Sequence, residues 1–352
     1  MPDQLGTVAD MRAVVYGKTG DSSVLEVVER EPAEPHWGEV RVKLAVAGVN
    51  PTDWKNRAGL TGPDELPFDE IVPGQDGAGV IDAVGNGVIG LHEGERVWTY
   101  LAQHQRPTGT AQEYVVLPAD RVVGLGRASY DVGASLGVPA MTAHRALTVH
   151  EDGPTRLAPG ACEDRTVLVT GGAGAVGHAA IQLAAWAGAT VVTTVSSDQK
   201  AALATAAGAH HVVNYRTGEP AAEIRAIAPD GVDLVVDVAV IQNADLVGRV
   251  LKPRGAVSSY ANTGGTELIL PVRTFMGLNA RLQFILLYTV GEEALRAGAE
   301  DVAAAAAEGA LEVGEEHGLP LVRFPLDQTA AAHDAVENGA VGKVLIDVAD
   351  LD

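Results

Sequence analysis

The segment VLVTGGAGAVGHAAIQLAAWAG, from Val167 to Gly188, restricts the fold more than any other part of the chain. Thr166 to Thr170 is β-branched and apolar, as a strand covered on both faces must be, and it runs directly into Gly171, Gly172, Gly174 and Gly177. The run HAAIQLAAWA that follows consists mostly of good helix formers and stops at Gly188, a residue suited to a helix C-terminus. The pattern therefore predicts strand, tight turn, helix. Gly172, Gly174 and Gly177 fall on the G-x-G-x-x-G spacing, in which the first glycine allows the turn, the second lets backbone approach a pyrophosphate, and the third lets helix pack on strand. The start of the helix then offers free N–H groups and a positive dipole end to an anion. In a glycine-rich chain the spacing alone says little; its place between strand and helix points to a phosphate-bearing ligand.

The next strand, ATVVTTV, bears on which dinucleotide fits. An NAD site carries Asp or Glu about twenty residues after the glycines, to accept the ribose 2′-OH. Here that region reads Thr193, Thr194, Val195, Ser196, Ser197, with no carboxylate at the strand end to repel a 2′-phosphate. Ser196 has a hydroxyl to donate to that phosphate, Lys200 a charge, and Tyr215 with Arg216 follows the third strand. The cofactor expected is NADPH. Asp198 opposes an anion unless it serves as a helix N-cap, with Lys200 then on a solvated face.

At 352 residues, 47% of them hydrophobic, the chain suits two domains with substantial cores. A formal charge of −21 argues against nucleic acid and anionic lipid as partners. The N-terminus lacks a basic stretch followed by an apolar one, and no apolar run approaches the roughly twenty residues needed to span a bilayer, so a cytoplasmic protein without membrane contact is expected. The single cysteine, Cys162, excludes an intramolecular disulfide and a cysteine-rich zinc knuckle, and its loop context reads as an incidental thiol. His210 and His211 face opposite ways if extended, and no H-E-x-x-H occurs, so no metal site is expected.

Residues 11 to about 125 read as short alternating strands between Gly/Pro turns: MRAVVYG, EVRVKLAVAGV, GAGVIDAVG, ERVWTY, AQEYVVL. From Ala134 to Tyr288 apolar strands alternate with Ala-rich helices: TVLVT, ATVVTT, HHVVNY, DLVVDV, GAVSSY, LQFILLYT. Six such strands fit an α/β, doubly wound parallel sheet. After the Ala/Glu-rich helix EEALRAGAEDVAAAAAEGA, the tail LVRFPL…GKVLIDV resumes β texture, so the first domain is expected to be completed by the last segment. The expected division is 1–133, 134–290 and 291–352, the first and last forming one domain. Gly133, Ser135 and Gly137 match the G-x-S-x-G of a hydrolase nucleophile elbow, but no strand precedes them and a helix-like run continues through them. Ser135 therefore reads as a small residue at a helix packing surface.

Taken in order, GVNPTDWKNRAG (48–59), VPGQDGAGVIDAVG (72–85), GTAQEYVV (109–116), VPAMTAHRAL (138–147), VLVTGGAGAVG (167–177), GAHHVVNYR (208–216) and VGKVLIDV (341–348) resemble the medium-chain dehydrogenase/reductase superfamily. Within it the likeness is to the zinc-independent quinone oxidoreductases related to zeta-crystallin. The resemblance implies a GroES-like, β-rich catalytic domain made from both ends of the chain, with a Rossmann domain between them. Zinc alcohol dehydrogenases of the superfamily place a Cys near the start of the segment matching GVNPTDW and a His-Glu pair in the segment matching VPGQDG; Asn50-Pro51 and Gln75-Asp76 stand there in this chain. Without zinc to polarise a carbonyl, the easier hydride acceptors are a quinone or an alkene conjugated to a carbonyl.

The resemblance also implies site roles. Asn50 becomes an active-site amide near the nicotinamide, with Trp54 and Lys55 lining the same cleft, and Thr142 stands close to the nicotinamide side of the cofactor. Ala173, Gly174, Ala175 and Val176 hold the pyrophosphate; Ser196, Lys200 and Tyr215 surround the 2′-phosphate. Tyr260, Ala261, Asn262, Ile285, Leu286 and Leu287 flank the nicotinamide after the fifth and sixth strands. Many relatives carry Tyr near positions 54 and 55, and Tyr288 is the substitute considered as a general acid. Each has a structural alternative: Asn50 shaping a turn, Trp54 in a core, Lys55 solvated, Tyr288 packed in a sheet. The activity implied is transfer of hydride from NADPH to a small quinone or enone. The alternatives are an enoyl-thioester reductase of an assembly pathway and a non-catalytic NADPH-binding crystallin-like or sensor protein. A homodimer through the LQFILLYT edge is expected, because pairing would cover an apolar strand edge.

Overall fold

A computed structural model describes residues 10–61 and 66–351. The chain forms two compact units. One holds the described residues up to Gly137 together with Val322–Ala340 and the strand from Val344 on; the other holds Val138–Leu321 and Val341–Lys343.

In the first unit β1 (Met11–Val15) and β2 (Glu26–Arg30) make an antiparallel pair. Then come β3 (Glu39–Val49), α1 (Pro51–Arg57), β4 (Asp76–Val84), β5 (Arg96–Thr99), β6 (Tyr114–Pro118), β7 (Val122–Gly124) and α2 (Tyr130–Ser135). After the second unit the chain returns through β14 (Leu321–Pro325), α10 (Thr329–Glu337) and β15 (Lys343–Asp347). These strands form one sheet in the order β14-β15-β3-β4-β5-β7, with β6 also on β3. Long β3 is antiparallel to β4, β6 and β15, so one strand ties the N-terminal and C-terminal segments together. Val40, Val42, Leu44, Val97, Val115, Leu117 and Ile346 bury its inner face.

The second unit contains α3 (Met141–Thr148), β8 (Thr166–Thr170), α4 (Ala175–Trp186), β9 (Thr190–Val195), α5 (Asp198–Ala206), β10 (His211–Asn214), α6 (Pro220–Ile227), β11 (Val232–Asp237), α7 (Val240–Val250), β12 (Leu251–Ser259), α8 (Val272–Leu278), β13 (Arg281–Phe284) and α9 (Glu292–Ala307). Its sheet is wholly parallel, in the order β10-β9-β8-β11-β12-β13. That is the doubly wound order of a Rossmann domain. Leu168, Val192, Val213, Val235 and Val257, from successive strands, are buried together, as strands covered by helices on both faces require.

The structure corrects the sequence expectation at three points. The return to the first unit comes at Val322 and not at residue 291, because α9 packs on α3. Gly298 lets α9 approach Met141 and His144, and buried Asp301 accepts from His144 Nε2 (2.8 Å), Arg156 Nε (2.9 Å) and the Leu157 N–H (2.7 Å). The sixth strand ends at Phe284, and Leu287–Thr289 is a short helical turn in place of a longer edge strand. The N-cap of α5 is Ser197, whose side chain accepts the Lys200 N–H, and Asp198 is the first helical residue. In the hydrolase-like motif, Ser135 Oγ donates to the Asp131 carbonyl within α2 at 2.8 Å. The absent side chain of Gly137 leaves room for the Asp76 carboxyl group, whose Cγ would lie 2.5 Å from a Cβ there. Among the described residues no helix is long and apolar enough to cross a membrane.

Candidate functional site

The strand order of the second unit reverses between β8 and β11, and at such a switch point the carboxyl ends of the strands leave a crevice for a ligand. Thr170 Oγ1 donates across it to Asp237 Oδ1 (2.7 Å) and accepts the Val238 N–H (3.1 Å). Gly171, at φ +69°, turns the chain out of β8, its N–H held by the Thr194 carbonyl and its carbonyl accepting the Gly174 N–H.

The three motif glycines answer to different demands. A Cβ at 172 would overlap Thr193 Oγ1 and lie 2.8 Å from Ile181 Cδ1. One at 177 would overlap the Gly171 carbonyl oxygen and stand 3.0 Å from Gly172 Cα. Gly174 is different: its backbone is ordinary extended chain (φ −87°, ψ 159°), and a Cβ there would meet only the Gly171 oxygen at 3.4 Å. The protein's own packing therefore does not require glycine at 174, whereas a ligand lying against the backbone does. Gly174 is the N-cap of α4, and the N–H groups of Ala175, Val176 and Gly177 in its first turn have no carbonyl of their own helix to bond. An open N-terminus of this kind, reached over a bare backbone, fits a pyrophosphate.

Sequence reasoning missed Asp237. It is fully buried, and its Oδ1 accepts from Thr170, the Ala239 N–H (2.8 Å) and Asn243 Nδ2 (2.9 Å), while among the described residues nothing donates to Oδ2. An acid closing the apolar run DLVVDV was the available signal.

At the end of β9 the Val195 carbonyl accepts the Tyr215 N–H (3.1 Å), which brings the turn after β10 beside Ser196 and Ser197. Tyr215 is 48% exposed, and Lys200 lies half-buried in the first turn of α5. Ser196, Lys200 and Tyr215 thus belong to segments that follow β9 and β10 at the same end of the sheet, the Lys200 N–H donating to Ser197 Oγ at 3.3 Å. Tyr260, Ala261 and Asn262 follow β12, and Ile285, Leu286 and Leu287 follow β13, at the same end of the sheet. The Tyr260 N–H donates to the Asp237 carbonyl (3.2 Å), and burial, with the Asp237 charge added, pushes the phenol up from its ordinary value. The Ile285 N–H donates to Ser259 (2.8 Å). Thr142 is buried in the first turn of α3, and Tyr288 lies half-buried in the turn after Leu287.

Asn50, Trp54 and Lys55 belong to the first unit. Asn50 is the N-cap of α1, in a capping box with Asp53 whose carboxylate accepts the Asn50 N–H at 2.7 Å, and Pro51 opens the helix. Its Nδ2 donates to buried Asp76 (2.6 Å). Half-buried Trp54 and Lys55 stand together, the Lys55 ammonium 5.9 Å from the Trp54 ring centre. Zinc takes thiolate, imidazole or carboxylate ligands, commonly three or four of them. These positions offer an amide nitrogen already donating to Asp76 and, at Gln75, an amide bonded to Gln103 Oε1 (3.0 Å), and among the described residues no three His, Cys, Asp or Glu are grouped to hold a metal. The donor set does not fit zinc. Cys162 is buried, and burial raises its thiol above the ordinary range, so it offers no nucleophile.

Residues 36–127 match the family described as alcohol dehydrogenase GroES-like domain, and residues 175–308 the one described as zinc-binding dehydrogenase. A 2-haloacrylate reductase of Burkholderia sp. is 31% identical over 92% of this chain and 94% of its own. Human quinone oxidoreductase is 27% identical over 96% of this chain and 97% of its own. The crystal structure of Escherichia coli quinone oxidoreductase complexed with NADPH superposes with a TM-score of 0.76 at 25% identity, covering 95% of this chain and 99% of that one. With both domains matched and the relatives aligned almost end to end, the chain is an oxidoreductase with a nicotinamide-cofactor fold, and it belongs to the medium-chain dehydrogenase/reductase superfamily, in the quinone oxidoreductase family related to zeta-crystallin.

Proposed function

We propose that this protein uses NADPH to reduce a small quinone or an α,β-unsaturated carbonyl compound, and that it does so without zinc. The observation that carries the choice is the end of β9: Ser196 and Ser197 stand where an NAD site has a carboxylate, with Lys200 and Tyr215 beside them. Gly172, Ala173, Gly174, Ala175, Val176 and Gly177 seat the pyrophosphate through backbone N–H groups, and Ser196, Lys200 and Tyr215 receive the 2′-phosphate. Thr142, Tyr260, Ala261, Asn262, Ile285, Leu286 and Leu287 border the nicotinamide. When bound, NADPH supplies a hydride. The acceptor gains that hydride at carbon or at a quinone oxygen, and its charge appears on a conjugated oxygen.

On the protein side, Asn50 and Lys55 of the first unit, and separately Tyr288 of the second, are each proposed as a hydrogen-bond donor to such an oxygen, and Trp54 as an apolar contact for the acceptor. A proton from Lys55, Tyr288 or water completes the reduction. An acceptor that delocalises its own charge suits a donor set that does not fit zinc, and the Burkholderia relative's name, 2-haloacrylate reductase, describes such a conjugated alkene. We also place a homodimer contact at the β13 edge, where Phe284 is 61% and Leu286 59% exposed.

The test is NADPH oxidation followed by absorbance with a panel of quinones, enones and acyl-thioester enones, before and after treatment with a zinc chelator. Turnover of quinones or free enones, unchanged by the chelator, is expected. Binding without turnover supports a non-catalytic role, preference for thioesters an assembly-line reductase, and loss with chelator a metal-dependent reaction; any of the three overturns the proposal.

A further inference from the structure

We propose that Asn214 is a positioning residue for 2′-phosphate recognition: it ties down the Asp198 carboxylate beside that corner while shaping the turn that carries Tyr215. The inference rests on the NADPH reading and assigns a residue that neither the glycine motif nor the phosphate-facing side chains include.

Asn214 is the last residue of β10 and pairs in register with Val195, the last residue of β9. Its side chain works in two directions. Oδ1 accepts the Arg216 N–H (3.2 Å), and its backbone carbonyl accepts the Thr217 N–H (3.2 Å), which folds the Tyr215 turn back on itself. With Oδ1 so used, Nδ2 points the other way and donates to Asp198 Oδ1 (3.3 Å). Asp198, exposed at the start of α5, suits the positive end of the helix dipole, yet it stands next to Ser197 and two residues from Lys200, where a phosphate dianion is to sit. An N–H facing that carboxylate offsets part of its charge and holds it toward β10. A carboxylate in place of the amide would keep the acceptor for Arg216 but set two like charges together.

Asn214→Asp is therefore the informative change, because the turn keeps its hydrogen bond while the group facing Asp198 changes from an N–H donor to a carboxylate. Calorimetric titration of the full chain with 2′,5′-ADP and with 5′-AMP isolates the 2′-phosphate without any turnover. Wild type is expected to prefer 2′,5′-ADP. Asn214→Asp is expected to cut that preference at least about fivefold, with 5′-AMP affinity within about twofold of wild type, and the loss shrinks in high salt. Asp198→Asn is expected to raise the preference and, combined with Asn214→Asp, to restore most of it. If wild type does not distinguish the two nucleotides, the NADPH reading fails and this inference with it. If wild type does and Asn214→Asp does not alter the ratio, the NADPH reading stands and the role of Asn214 is refuted.

Discussion

Replacing Gly174 and Gly177 separately with alanine divides the work of the glycine turn into packing and binding. At 177 alanine gains about 1 kcal/mol of helix propensity. Against this, its Cβ overlaps the Gly171 carbonyl oxygen and stands 3.0 Å from both Gly171 C and Gly172 Cα. All three are backbone atoms, which cannot rotate aside, so α4 must move off the end of β8; overpacking of this kind costs about 1–3 kcal/mol. Because the clash is with backbone, the cost falls in the upper part of that range, about 2–3 kcal/mol, and the balance is a loss of about 1–2 kcal/mol, read as a lower urea midpoint. At 174 alanine is the poorer N-cap, but it reduces the freedom of the unfolded chain by a comparable amount, and its Cβ meets nothing closer than 3.4 Å. Stability is expected within about 0.5 kcal/mol of wild type. The added methyl nevertheless stands where the pyrophosphate is proposed to approach backbone, so NADP+ affinity by calorimetry should fall at least about tenfold. A Gly174→Ala protein that binds NADP+ like wild type would show that no phosphate lies on this turn. A Gly177→Ala protein with an unchanged urea midpoint would refute the packing argument.

Burial lowers His178 to about 4 and His333 to about 3, so both stay neutral in the fold. The unfolded chain takes up their protons first as pH falls below about 6.5, and stability should decline from there toward pH 3, by up to about 1.4 kcal/mol per pH unit for each histidine. His333→Leu should flatten the slope of urea midpoint against pH. At Asp301 burial acts to raise the carboxyl group, but hydrogen bonds from His144, Arg156 and the Leu157 N–H outweigh it and hold the group at about 2. Its contribution is present above pH 4 and lost between pH 4 and 2, so Asp301→Asn should cost about 1–3 kcal/mol at pH 7 and leave a smaller acid loss in that window. Phe284→Arg should shift sedimentation from dimer to monomer; a wild type that sediments as monomer refutes the edge contact.

The strand, turn and helix from Thr166 to Gly188 were legible because each rests on local chemistry: β-branched residues, glycines and a good helix-forming run. The doubly wound parallel sheet followed from the alternation of elements, since parallel strands joined by helices have few ways to wind. Asn-Pro-x-Asp is a helix-start signature, and the turn expected at Asn50 is the N-cap of α1. What stayed hidden depends on contacts distant in sequence. The Ala-rich pattern of α9 shows a buried stripe but not its partner, and only the Asp301–His144 and Gly298–Met141 contacts assign it to the second unit. Asp237 and Asn214 look like ordinary polar residues at strand ends. Their roles emerge only when parallel register sets Thr170 beside Asp237 and Val195 beside Asn214.

Calorimetric titration of the purified chain with NADPH and with NADH tests the central claim most directly. One NADPH per chain, bound at least about tenfold more tightly than NADH, is the expected result. No heat with either nucleotide, or NADH bound as tightly as NADPH, contradicts it.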